Sequence, residues 1–130
     1  MNAKDFLLSL NKYSMDIRNM ESEINILWSF GEREAVQQAE NQLQELRKIR
    51  LDTLCKVRSA LDKLSPTQHD VLLMRFVGVD NDGSGKLKTM TLQEIADRYK
   101  KEFTWVTTTQ GRALKRLQQI IDEADYSLSG

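Results

Sequence analysis

The sequence predicts an all-α fold: a long, coiled-coil-like helical hairpin followed by a domain of three shorter helices. Three observations carry this. An apolar seam with heptad spacing runs from Phe6 to Leu27. Only one proline and six glycines occur in 130 residues, so few helix interiors are broken. Two segments in the second half, Ser65-Pro66-Thr67-Gln68 and Thr91-Leu92-Gln93-Glu94, carry helix-start chemistry.

The first helix places Phe6, Leu10, Tyr13, Ile17, Met20, Ile24 and Leu27 at alternating spacings of 4 and 3. That is the repeat of a helix packed along one seam. Leu7, Leu8 and Trp28 widen the stripe, which implies more than one partner helix. Gly31 is placed to close this helix in a left-handed cap. The second helix spans about 32–64, with Glu32 and Glu34 favouring its N-terminal dipole. Its apolar positions are Val36, Ala39, Leu43, Leu46, Leu54, Val57, Leu61 and Leu64. The seam slips between Leu46 and Leu54, near Ile49 and Arg50, and reads as a stutter. The short break predicts antiparallel packing of the two helices.

Ser65 suits an N-cap, Pro66 the first helical position, and Gln68 a capping box. The helix that follows should reach about Val77 and bury Val71, Leu72, Met74 and Phe76. His69 reads as a solvated helix residue, without the second ligand that a metal needs. Asp80, Asp82, Ser84 and Gly85 imitate a calcium loop, but Thr91 stands where a bidentate glutamate belongs. A polar loop or a turn between two short strands is the better expectation, with Lys86 and Lys88 able to meet phosphates as a wing.

Thr91 and Glu94 form a capping box, and Leu92, Ile95, Ala96 and Tyr99 share one face of a short helix. Lys100-Lys101-Glu102-Phe103-Thr104 interrupts the pattern. A last helix follows, burying Val106, Ala113, Leu114, Leu117, Ile120 and Ile121. Two short helices about a tight break form a helix-turn-helix, whose second helix can enter a DNA major groove. Within 91–118, six basic residues stand against three acidic ones, a local balance of +3.

These residues resemble the C-terminal DNA-reading domain, region 4, of bacterial sigma-70-type factors. The likeness rests on Thr91, Leu92, Glu94 and Ile95, then Val106, then Arg112-Ala113-Leu114-Lys115-Arg116-Leu117. Upstream, Leu64-Ser65-Pro66 with Val71-Leu72 and Met74-Arg75-Phe76 resembles the first helix of that domain. The resemblance covers about 64–121. It implies that the start of the last helix meets bases and phosphates of double-stranded DNA. Carried over by position, those places hold Phe103, Thr104, Thr107 and Thr108, where the family usually has arginine, glutamate or glutamine. Thr104 also suits the helix N-cap, and Gly111 in mid-helix suits a close backbone approach. The candidate DNA-binding set is Lys100, Lys101, Phe103, Thr104, Trp105, Thr107, Thr108, Arg112, Lys115 and Arg116.

Composition sets the outer limits. The chain is 40% hydrophobic and 29% charged, with 19 basic and 19 acidic residues, which suits a globular protein and argues against indiscriminate nucleic-acid binding. No apolar run approaches the ~20 residues that span a bilayer, and residues 1–6 form no secretory leader, so no membrane partner and a cytoplasmic location are expected. Cys55 is the only cysteine and reads as a packing residue. No catalytic constellation is present, so an enzyme, a cofactor and a metal are not expected.

The domains expected are a hairpin and dimerisation region at 1–64, the helix-turn-helix domain at 65–124 and a frayed tail at 125–130. Such a module on a helical hairpin is similar to small transcriptional regulators of phages and prophages of Gram-positive bacteria. The partners expected are double-stranded DNA and a second copy bound through the N-terminal helices, with RNA polymerase as a further candidate. The alternatives are a module that binds polymerase or a sigma factor, or a phage packaging subunit.

Overall fold

A computed structural model describes residues 2–80, 82–84 and 87–124. The expected all-α class is what it shows: α1 (Ala3–Ser29), α2 (Arg33–Leu61), α3 (Pro66–Leu72) continued by a π-helical turn (Leu73–Val77), α4 (Leu92–Tyr99) and α5 (Phe103–Ala124). By their own contacts the described residues form two compact units, 9–55 and 2–8 together with those from 56 to 124. No helix among the described residues is long and apolar enough to cross a membrane.

Unit 9–55 is an antiparallel hairpin. Ile24, Val36, Ala39 and Leu43 form its buried centre, with Ile17, Met20 and Leu27 half-buried against them. The turn is a Schellman motif. Glu32 N donates to Leu27 O at 3.1 Å and Gly31 N to Trp28 O at 3.1 Å, with Gly31 at φ +70°. Trp28, placed beside the seam by its spacing, is 57% exposed.

The expected stutter in α2 is absent from the burial pattern. Val36, Ala39, Leu43, Leu46, Arg50, Thr53, Val57 and Ala60 follow one another at 3, 4, 3, 4, 3, 4, 3, and each is buried or half-buried. Two seam positions are polar, so a count of apolar residues loses the phase there. Arg50 Nε donates to Ser14 Oγ at 2.9 Å across the hairpin. Thr53 is 1% exposed and returns its hydroxyl to Ile49 O at 2.8 Å. The Arg50–Ser14 bond crosses the hairpin and so favours one register, whereas Thr53 is satisfied within its own helix and tolerates burial at any register. Cys55 is exposed rather than packed.

In the other unit the first turn of α1 meets α5. Asn2 Oδ1 accepts from Lys4 N at 2.8 Å and caps the helix. Ala3 N donates to Gln118 Oε1 at 2.8 Å, and Phe6 and Leu7 are completely buried. Of the residues that widen the stripe, Leu7 is buried in this unit, whereas Leu8 is exposed.

Ser65 Oγ accepts from Gln68 N at 3.3 Å, the expected cap of α3, with Pro66 as first residue. The helix then loosens into the π turn, closed by Gly78 N donating to Leu73 O at 2.7 Å. Gly78 is required there: its φ is +105°, and a Cβ would sit 3.2 Å from the Lys88 backbone. Val79 and Lys88 pair as a single antiparallel bridge, with both N···O distances 3.0 Å. Met90 N donates to Met74 O at 2.8 Å and Arg75 reaches Met90 O, so the chain is returned to the π turn before α4 begins.

The aspartates of the calcium-like loop serve their own backbone. Asp80 Oδ1 accepts from Gly83 N at 2.9 Å and Asp82 Oδ1 from Ser84 N at 3.0 Å. The Ser84 hydroxyl and then its N–H hold the Asp82 carboxyl below the ordinary carboxylate range. Lys88 Nζ lies 3.8 Å from Asp82 Oδ2. Lys86, the other wing lysine, and the tail 125–130 lie outside the described residues.

Candidate nucleic-acid interface

The interface is built from the start of α4. Glu94 N donates to Thr91 Oγ1 and Thr91 N to Glu94 Oε1, both at 3.1 Å, completing the capping box. Ile95 and Ala96 are fully buried and pack with Val71, Met74, Met90 and Val106. That cluster fixes α4 on α5.

α4 ends in a second Schellman motif. Lys101 N donates to Ala96 O at 3.0 Å and Lys100 N to Asp97 O at 3.2 Å. The residue in the left-handed conformation is Lys100, φ 54° and ψ 44°. It is the one non-glycine residue with positive φ among the described residues. Two residues on, Glu102 O accepts from Trp105 N at 3.0 Å and Val106 N at 3.4 Å, so α5 starts at Phe103 with Glu102 as its N-cap. Thr104 is not the N-cap. It sits in the first turn, where its carbonyl accepts the Thr107 hydroxyl at 3.0 Å.

α5 buries Val106, Ala113, Leu117, Ile120 and Ile121 on one side, with Leu114 half-buried. At 100° per residue, Thr104, Thr108, Arg112 and Lys115 fall on the opposite side. All four are exposed, as is Gly111 between them. Four of the ten sequence-predicted residues therefore share one solvent stripe. Half-buried Thr107 flanks it on one edge, and beyond Thr107 lies Phe103, 48% exposed at the N-terminal end of the helix. Arg116 is exposed on the other edge and donates to Gln119 Oε1 at 3.2 Å. From Phe103 to Ile121 the helix carries three cations and no carboxylate.

Trp105 stands apart from this stripe. It is half-buried against the core cluster, its ring 5.4 Å from that of Tyr99 and tilted by 50°. Lys101 Nζ lies 5.8 Å over the same ring, within cation–π range. Burial of the Tyr99 phenol, with Asp70 adding to it, raises its pKa above the ordinary tyrosine value. These contacts tie the turn to the body of the domain. Sequence reasoning missed Glu102 as the cap and Gln118 as the partner of Ala3; neither has a local pattern that would reveal it.

A buttressed helix whose solvent face is polar, then basic, joined by a tight turn to a capped helix, defines a DNA-binding helix-turn-helix domain. Residues 60–119 match the family model of Sigma-70, region 4, and this part of the chain is a sigma-70 region 4-like domain. No curated protein and no solved structure matches the chain.

Proposed function

We propose that the protein is a sequence-specific transcriptional regulator, of the kind carried by phages and prophages, that lays the start of α5 in the major groove. The observation that carries this is the solvent stripe of α5, in which Thr104 and Thr108 lead into Arg112 and Lys115 with no carboxylate before Asp122. Lys100 and Lys101 at the turn and Arg116 on the flank supply phosphate contacts. The threonines and Phe103 face base edges.

The hairpin unit displays Met15, Ile26, Trp28 and Phe30, each more than half exposed. Pairing of two chains through these side chains would let two modules read two half-sites, as small DNA-reading domains require for tight binding. RNA polymerase is the second reading, favoured by the lack of a guanidinium among the first exposed positions of α5.

The test is binding to promoter-bearing duplex fragments across a salt series. Affinity should fall steeply with salt, and Arg112→Ala and Lys115→Ala should each weaken binding and reduce the salt slope by about 1. Binding that ignores salt, or none at micromolar protein, overturns the reading. A monomer by sedimentation at concentrations where DNA is bound overturns the pairing.

A further inference from the structure

The first turns of α5, Phe103 to Gly111, read FTWVTTTQG and contain no charged side chain. In the major groove guanine is read by a bidentate cation and adenine by a side-chain amide. No cation is available in this stretch. The one amide is Gln110, whose Oε1 is buried and has no hydrogen-bond partner, so it cannot offer the paired donor and acceptor that adenine needs.

Two of the four threonine hydroxyls in this stretch are also committed. Thr107 donates to Thr104 O at 3.0 Å and Thr109 to Trp105 O at 2.7 Å. A hydroxyl has one proton to give. Once that proton is bound to the helix backbone, the side chain keeps its methyl group and an acceptor lone pair for a ligand. Beside them the Phe103 ring is 48% exposed, with nothing in its own domain that covers it fully. The reading end of this helix therefore offers one aromatic ring, the methyl groups of Thr104, Thr107 and Thr108 and the hydroxyls of Thr104 and Thr108, with no charged side chain. Thymine is the base that presents a methyl group in the major groove.

We infer that the start of α5 selects thymine through its C5-methyl group, by apolar contact with Phe103 and the methyl groups of Thr104, Thr107 and Thr108. The inference rests on the DNA-reading function proposed above and names the chemistry that it recognises. Preference for a site then follows the placing of thymines, with Arg112 and Lys115 supplying affinity without sequence.

The experiment alters the DNA rather than the protein. The tightest-binding duplex from a random library is resynthesised with deoxyuridine in place of thymidine, one position at a time. Uracil keeps every hydrogen-bonding group and lacks only the methyl. At two or more positions the loss should be about fourfold in affinity, the size expected for burying one methyl-sized apolar group. Phe103→Ala should bring the thymine-over-uracil ratio towards one while leaving the salt slope unchanged. Equal affinity for thymine and uracil duplexes, with salt-dependent binding intact, overturns the inference and leaves DNA reading standing. Failure of both duplexes to bind overturns both. Because the uracil arm uses the unaltered protein, it decides the matter even where Phe103→Ala does not fold.

Discussion

Two helices of this molecule end in the same hydrogen-bonded motif, closed by different residues. The hairpin closes α1 with Gly31 at φ +70°; the DNA-binding domain closes α4 with Lys100 at φ 54°. Both turns make the paired bonds of a Schellman motif. Glycine enters the left-handed region without steric cost, whereas a side chain there costs about 1–2 kcal/mol. The hairpin turn is thus built for stability. The other turn holds a strained lysine just ahead of α5, and strain of this sort gathers where function needs a particular side chain.

The largest break in that comparison lies in the packing beneath each turn. Ile95 is fully buried among Val71, Ala96 and Val106, so Ile95→Ala should cost about 3–4 kcal/mol, read as a lower urea midpoint. Leu43 is 6% exposed in a layer only two helices thick, and Leu43→Ala should cost about 2 kcal/mol because solvent can partly fill the gap. Equal losses would mean that the hairpin is packed as tightly as the domain.

The turns themselves come next. Gly31→Ala meets no atom within 4 Å, so its penalty is conformational alone, about 1 kcal/mol. Lys100→Gly should do the reverse and raise stability by about 1 kcal/mol. On the proposed function it should also weaken duplex binding, by removing a cation that would lie beside the phosphates. A gain in stability with affinity unchanged would show that the lysine makes no contact with DNA.

Much of this contrast was legible in the sequence. Gly31 and the Thr91–Glu94 capping box announce themselves because each acts on its own neighbours within four residues. The buried faces of α4 and α5 follow from apolar spacing alone. Other features depend on partners far along the chain. The capture of Ala3 by Gln118 joins residues 115 apart, and no local pattern encodes it. The π turn at Leu73–Val77 depends on Gly78, whose place is set by the backbone of Lys88. In α2, Arg50 and Thr53 occupy apolar phases of the seam, so apolar spacing alone looks like a slip. Thr104 is the better capping side chain and points to a later start for α5, yet the chain leaves Lys100 already aligned for Glu102 O to accept the first bonds.

The smallest expected effect is the most informative about the interface. Gly111 is the inverse of Lys100: a flexible residue where the backbone is ordinary helix. It lies exposed on the solvent stripe between Thr108 and Lys115, and a Cβ there meets nothing within 4 Å. Inside this chain nothing calls for a glycine, which costs a helix interior roughly 0.5–1 kcal/mol relative to alanine. Gly111→Ala should therefore raise the thermal midpoint by a few degrees. If a DNA strand approaches the backbone at that point, the same change should weaken duplex binding, so that stability and affinity move in opposite directions. A more stable protein that binds DNA as well as before would place the strand elsewhere along the helix, nearer Phe103 and Thr104.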